Sequence, residues 1–348
     1  MVIMSNIQQN DIEIFVGDFK CSDSLANSRI LITGATGLIG STLVRCLLAL
    51  NKGIEIFCPV RNIDKAISMF GEDCSNLHFV GYELIEYLNG LSDKDVFHYI
   101  VHCASPTSGK YMIEHPAETY LFAIDSTRAI LEYGKKNNVK GIVYVSSLEY
   151  YGQNFDDKKI TEDMLGYIDN ADSRSSYPLG KRAAEYLCTA YSKEYGVNVK
   201  IARLTQTFGA GVASDDNRVF AQFARSIISG TDIVLHTKGD SAKPYCYTTD
   251  CVSAILYILL KGNSGDAYNV ANEDTYISIR EMAEFLCKNF NSNVRVIVEE
   301  HPEMGYAPTT RLNLSSDKLR CLGWKPKYSL KDMFVSLITD MQSSLQNL

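Results

Sequence analysis

Residues 29–49 read RILITGATGLIGSTLVRCLLA: an apolar strand runs through three glycines straight into an amphipathic helix. Gly34, Gly37 and Gly40 follow one another as G-x-x-G-x-x-G. A strand that turns this sharply into a helix leaves first-turn N–H groups uncovered, and the missing side chains let an anion approach them. Gly34, Thr36, Gly37, Leu38, Ile39 and Gly40 are therefore expected to cradle the pyrophosphate of a dinucleotide. The segments IEIFCPV, NLHFVGY, YIVHCAS, GIVYVSS and VNVKIAR read as further buried strands, with helical patterns such as 116–136 and 177–196 between them. Strand and helix alternating in this way predict right-handed crossovers and an α/β, doubly wound parallel sheet of Rossmann type.

The order within the chain follows from the same pattern. Residues 1–28 are polar and irregular, and read as a short helix or arm. Residues 29–204 form the expected dinucleotide-binding domain, and 205–348 a smaller substrate lobe that stays entwined with it. The formal net charge of −7 argues against a nucleic-acid partner or a polybasic membrane patch. The apolar run Ala254–Leu260 is too short to span a bilayer, and the N-terminus lacks the pattern of a secretion signal. Ten cysteines without a CxxC pair read as reduced thiols, which predicts a cytoplasmic protein. His98 and His102 lie on one strand face with no third ligand in sight, so no metal site is expected.

Three positions carry the predicted chemistry. Tyr177 and Lys181 stand four residues apart on one helical face, where an ammonium lowers a phenol pKa and makes it a usable acid and base. Ser147 ends the preceding strand, at the carboxyl edge where open α/β sheets bind ligands. Its hydroxyl is placed to share a substrate alcohol with Tyr177. The second strand ends at Arg61 with no acid to hold a ribose 2′-hydroxyl. NAD and NADP both remain open as cofactors, with Arg61 tilting the choice towards a 2′-phosphate unless it is a solvated loop residue.

Taken together, the glycine turn and the Ser147, Tyr177 and Lys181 set resemble the extended short-chain dehydrogenases/reductases. That group includes nucleotide-sugar epimerases, 4,6-dehydratases and UDP-glucuronate decarboxylases. The segments His102-Cys-Ala-Ser-Pro106 and Arg203-Leu-Thr-Gln-Thr-Phe-Gly209 are most similar to the decarboxylase branch. The resemblance implies that Cys103, Ala104 and Ser105 line the cofactor and that Glu83 meets the adenine amine. It assigns Gln206, Arg218, Lys243 and Arg311 to the substrate, with the arginines on its diphosphate; Arg218, Lys243 and Arg311 are read in loops of the second lobe that face the sheet's carboxyl edge. It also implies a homodimer built on the helices near 116–136 and 177–194.

The departures bear on the reaction. Dehydratases carry an Asp-Glu pair after the catalytic Ser/Thr; here Leu148 and Glu149 stand there. Decarboxylases keep Ser-Glu and an arginine where this chain has Leu148 and Lys243. Glu149 is retained as a candidate catalytic acid. The expected activity is transient C4 oxidation of a nucleotide-diphosphate sugar, ending in epimerisation or keto reduction. Decarboxylation ranks second and dehydration third. A non-catalytic dinucleotide sensor on the same fold is the alternative of another class, and it would not need the Ser/Tyr/Lys set.

Overall fold

The computed structural model describes residues 4–71, 75–81, 83–92, 96–106, 108–153, 157–301 and 309–346. Its centre is a parallel sheet of β1 (Arg29–Thr33), β2 (Glu55–Pro59), β3 (Leu77–Val80), β4 (Tyr99–His102), β5 (Gly141–Ser147), β6 (Val199–Leu204) and β10 (Ala267–Val270). Their spatial order is β10-β6-β5-β4-β1-β2-β3. The chain runs outwards from β1 to β3, then crosses back to lay β4 on the other side of β1. That reversal opens a crevice at the carboxyl ends of β1 and β4, the place where such sheets take ligands.

The central strands are buried nearly throughout, because helices cover both faces, while the edge strand β3 is only partly buried. On one face α2 (Leu38–Ala49) and α9 (Thr248–Lys261) pack with Ile30, Ile32, Val101, Val143 and Ala202. On the other, α6 (Pro116–Asn137) and α7 (Ser176–Tyr195) close over Leu31, Ile100, Ile142 and Ile201. Pro116 opens α6 at a position where its missing N–H costs nothing, and Asn138 ends it in the left-handed region.

The second lobe holds a three-stranded sheet of β7 (Gln206–Phe208), β9 (Ala242–Tyr247) and β11 (Asn272–Ser278), and a two-stranded one of β8 (Ile233–Leu235) and β12 (Val296–Val298). Around them pack α8 (Val219–Ser229), α10 (Ile279–Phe290) and α12 (Leu330–Gln346). Between these pieces the chain returns to the large sheet, contributing α9 and β10.

The segment read as a short helix or arm holds a regular helix, α1 (Asn6–Asp18), opened by a reciprocal Ser5–Gln8 capping box. Ile12, Phe15 and Phe19 insert into the core shared by α2 and α9. Asp11 is buried beside them, accepting from the hydroxyls of Tyr247 and Tyr328 in the second lobe. The helix thus ties both lobes together behind the crevice. Among the described residues no helix is long and apolar enough to cross a membrane.

Candidate active site

The glycine turn follows β1 directly. Gly34 has φ +71°, and a Cβ on it would lie 2.9 Å from the Ala104 nitrogen. A Cβ on Gly40 would lie 2.2 Å from the Gly34 carbonyl oxygen, so neither position accepts a side chain. Gly37 is the N-cap of α2 and brings no side-chain cap to its first turn. Bare backbone, a helix N-terminus and the sheet's reversal point coincide here, and that donor set fits a dinucleotide pyrophosphate. Thr36, Leu38 and Ile39 belong to the same turn and first helical residues. Arg61 and Glu83 are exposed just past β2 and β3, on the side of the turn away from β4.

Across the crevice, β5 delivers Ser147 and the start of α7 delivers Tyr177. The Ser147 Oγ accepts from the Glu149 backbone N–H at 3.2 Å. Burial first and the Glu149 carboxylate second push the Tyr177 phenol well up; the nearby hydroxyls of Ser147 and Ser105 oppose them. Lys181, one turn further along α7, is buried and donates to the Val145 carbonyl at 2.9 Å. Its ammonium lies 5.5 Å from the centre of the Tyr177 ring. Burial brings its pKa down to about 8; the carboxylate of Glu185, then the Cys103 thiol and Glu149, oppose the change.

Glu149 keeps accessible surface yet is sunk among surrounding elements, and the loss of water around it raises its carboxyl; Lys243 and then Lys181 pull it back. Burial lowers the Lys243 ammonium, with Glu149 opposing. The sequence reading put Lys243 in a loop. It stands on β9, whose neighbour β7 carries Gln206 in register with Tyr245. The strand fixes the lysine backbone far more firmly than a loop does.

The two arginines are already engaged. Arg218 is not in open loop but at the N-cap of α8, forked onto Asp216 with Nε 3.0 Å from each carboxylate oxygen. Arg311 forms an isolated bridge with Ala242 at the start of β9 and donates to Asp157 at 2.7 Å. Ser147, Tyr177, Lys181, Ser105, Glu149 and Lys243 thus share one electrostatic neighbourhood, whereas Arg218 and Arg311 hold separate carboxylates.

Sequence reasoning passed over Glu185. Buried one turn beyond Lys181, it accepts from Ser146 Oγ at 2.5 Å and from the Arg203 guanidinium at 2.8 Å. Arg203 in turn donates to Tyr151 Oη at 2.9 Å. An acid at i+4 from Lys181 was the available signal. Among the described residues, no three His, Cys, Asp or Glu side chains gather as a metal site.

The sequence matches the profile of the "NAD dependent epimerase/dehydratase family" over residues 30–271. It is similar to UDP-glucuronic acid decarboxylase 6 of Arabidopsis thaliana, at 28% identity across 88% of this chain and 87% of that protein. Similarity to UDP-glucuronic acid decarboxylase 1 of Danio rerio is also 28%, covering 87% of this chain and 70% of the relative. The fold matches a UDP-glucose 4-epimerase from Thermotoga maritima with TM-score 0.78 at 20% identity, covering 91% of this chain and 99% of that one. It also matches an NAD complex of dTDP-glucose 4,6-dehydratase from Bacillus anthracis, TM-score 0.74 at 22% identity, covering 92% and 97%. With its glycine turn at the sheet reversal and the profile spanning well over half of its length, the chain belongs to the NAD-dependent epimerase/dehydratase family.

Proposed function

We propose that the protein oxidises C4 of a nucleoside-diphosphate sugar transiently and then reduces the keto sugar again, as an epimerase or ketoreductase. The observation that carries this reading is the meeting of Ser147, Tyr177 and Lys181 beside the glycine turn. Bound NAD or NADP supplies the hydride acceptor and donor. Gly34, Gly37, Leu38, Ile39 and Gly40 would hold its pyrophosphate, and Arg61 a 2′-phosphate where one is present. Tyr177 takes the C4 hydroxyl proton and later returns it; Ser147 orients that hydroxyl. The Lys181 ammonium stabilises the phenolate form of Tyr177. Arg218 and Arg311 would exchange their carboxylates for the substrate diphosphate.

A second reading, decarboxylation of a nucleotide-linked hexuronate, draws support from Lys243 beside Glu149 and from the decarboxylase relatives. A cation on that wall attracts a sugar carboxylate, although an ammonium does not clasp it as a guanidinium does. Dehydration has less support. Leu148, where dehydratases carry an acid, packs into an apolar cluster with Tyr151, Ile160 and Leu314.

Incubating the purified protein with UDP-, dTDP-, CDP- and GDP-sugars, UDP-glucuronate included, and resolving products by mass spectrometry separates these readings. An isomer, or a reduced sugar formed from a 4-keto sugar when NADH or NADPH is supplied, supports the first, and release of CO2 with a pentose product supports the second. No turnover of any sugar, with dinucleotide still bound, would favour the sensor. Parallel titrations with NAD and NADP test Arg61: Arg61→Ala weakening only NADP supports the 2′-phosphate contact.

The same reading includes a homodimer and a cytoplasmic location. Exposed Tyr120 and Leu121 on α6 and Tyr186 on α7 support the first. Nine free cysteines among the described residues support the second. Light scattering at micromolar concentration tests the dimer, and a monomer there would count against it.

A further inference from the structure

Thr33 and His102 are cross-strand partners at the carboxyl ends of β1 and β4. The Thr33 Oγ1 lies 2.7 Å from His102 Nδ1, and His102 Nε2 lies 3.2 Å from Ser126 Oγ on α6. Two further bonds fix the direction of this chain. Ser126 Oγ gives its only proton to the Phe122 carbonyl at 2.5 Å, so its oxygen accepts from His102. Nε2 therefore carries the ring proton, and Nδ1 accepts from the Thr33 hydroxyl. The Thr33 oxygen then accepts from the Ala104 backbone N–H at 3.1 Å. All four steps have one consistent donor order: Ala104 to Thr33 to His102 to Ser126 to Phe122.

The relay is shut away from water: Thr33, His102 and Ser126 are all buried. Besides Thr33 and Ser126, the imidazole faces the Tyr144 ring at 5.7 Å and the Lys181 ammonium on α7. Burial, and then that positive charge, hold His102 neutral by lowering its pKa to about 3. A second ring proton would also leave the Thr33 hydroxyl hydrogen without its acceptor.

We infer that His102 is a positioning residue for the cofactor cleft: its neutral ring links α6 through Thr33 to the Ala104 amide and sets the gap between the glycine turn and the Cys103–Ser105 segment. The two backbones at that gap already touch, since a Cβ on Gly34 would lie 2.9 Å from the Ala104 nitrogen. The hydroxyl of the next residue, Ser105, acts on the Tyr177 phenol and lowers its pKa. The relay therefore joins the proposed pyrophosphate cradle to the proposed acid–base group. Its importance for the cofactor rests on the dinucleotide site proposed above; the tautomer does not.

The test pairs spectroscopy with binding. Nitrogen NMR of the full chain, labelled at histidine and assigned with His102→Gln, reports the ring state directly. We expect the neutral Nε2–H form to persist from about pH 5 to about pH 8, the window in which an unperturbed histidine changes charge. The Nδ1–H form, or an imidazolium at neutral pH, overturns the relay. Thr33→Val keeps the side-chain shape but strips Nδ1 and the Ala104 amide of their partner. It should weaken NAD binding to the folded protein about tenfold, while Thr33→Ser stays within about twofold of wild type. Unchanged affinity in Thr33→Val, or no rescue by serine, overturns the positioning role. Should Thr33→Val not fold, Ser126→Ala probes the outer end: a shifted Nε2 resonance with several-fold weaker NAD supports the role, and unchanged NAD affinity refutes it. A wild-type chain that binds neither NAD nor NADP would instead defeat the cofactor reading, with the tautomer still deciding the relay.

Discussion

Lys181 stands one helical turn beyond Tyr177 on α7, with its ammonium 5.5 Å from the centre of the phenol ring and bonded to the Val145 carbonyl at 2.9 Å. The bond to β5 stops the lysine from swinging away, so its charge acts on Tyr177 from one fixed side. Removing the phenol oxygen should leave that frame intact. Tyr177→Phe is expected to bind NAD or NADP as wild type does while turnover falls by roughly two or more orders of magnitude, the scale of a lost general acid/base. Steady-state rates beside dinucleotide titrations check both halves.

The same lysine predicts a pH dependence. Burial disfavours the ammonium, so Lys181 gives up its proton near pH 8 instead of at its usual 10.5. Below that point the charge supports the phenolate; above it the support is lost. The profile of kcat/KM is expected to fall on the alkaline side with a midpoint of about 8. Glu185 holds the lysine pKa up, so Glu185→Gln should move that limb to lower pH. An alkaline limb that ignores Glu185→Gln contradicts the assignment. For folding the sign is opposite. The unfolded chain binds this proton more tightly, so the lysine's contribution to stability rises between about pH 8 and 10.5.

Asp11 predicts a stability effect far from the chemistry. Burial pushes its carboxyl up to about 6 from 3.8, even though Tyr247 and Tyr328 donate to it. The folded state therefore holds the proton more tightly, and stability falls as pH rises from about 4 to about 6. Asp11→Asn removes that cost and keeps an acceptor oxygen for the tyrosines. Its Tm relative to wild type should climb through this window and level off above it, as calorimetry across pH would record.

Arg311 tests the substrate lobe. It donates to Asp157, which also accepts from Tyr276 Oη at 2.8 Å. Arg311→Ala should weaken binding of the matching nucleoside diphosphate by about 1.5–3 kcal/mol, the worth of a hydrogen bond to a charged group. Asp157→Asn should strengthen it, because the guanidinium is released from its carboxylate. Affinity for NAD should stay as in wild type in both. Calorimetry with the four nucleoside diphosphates, and with NAD, measures all three.

What the sequence made legible was whatever local spacing carries. The strand–glycine–helix junction at 29–49 and the Tyr177/Lys181 stripe depend on neighbours within a turn or two, and their residue types are restrictive. The relay through Thr33, His102 and Ser126 depends on strand register and on α6 crossing the sheet, so no local pattern announces it. His102 looked like half of an empty metal pair. A short helix was legible near the N-terminus, but its docking was hidden for another reason. Ile12, Phe15 and the capping Phe19 are spaced for one face, but the polar residues between them mask that the segment enters the core. Lys243 was misplaced because the short strands of the second lobe, interrupted by Pro244, lack a clear alternation.

The central claim is that a hydride leaves C4 of the sugar and returns. Once the panel of sugars identifies one that turns over, the direct test is that substrate carrying deuterium at C4, mixed in stopped flow with NAD- or NADP-loaded protein. The account predicts a transient rise in reduced-nicotinamide absorbance, slowed by the label, and little or no such transient in Tyr177→Phe. Turnover without a reduced-nicotinamide transient and without any isotope effect would contradict it.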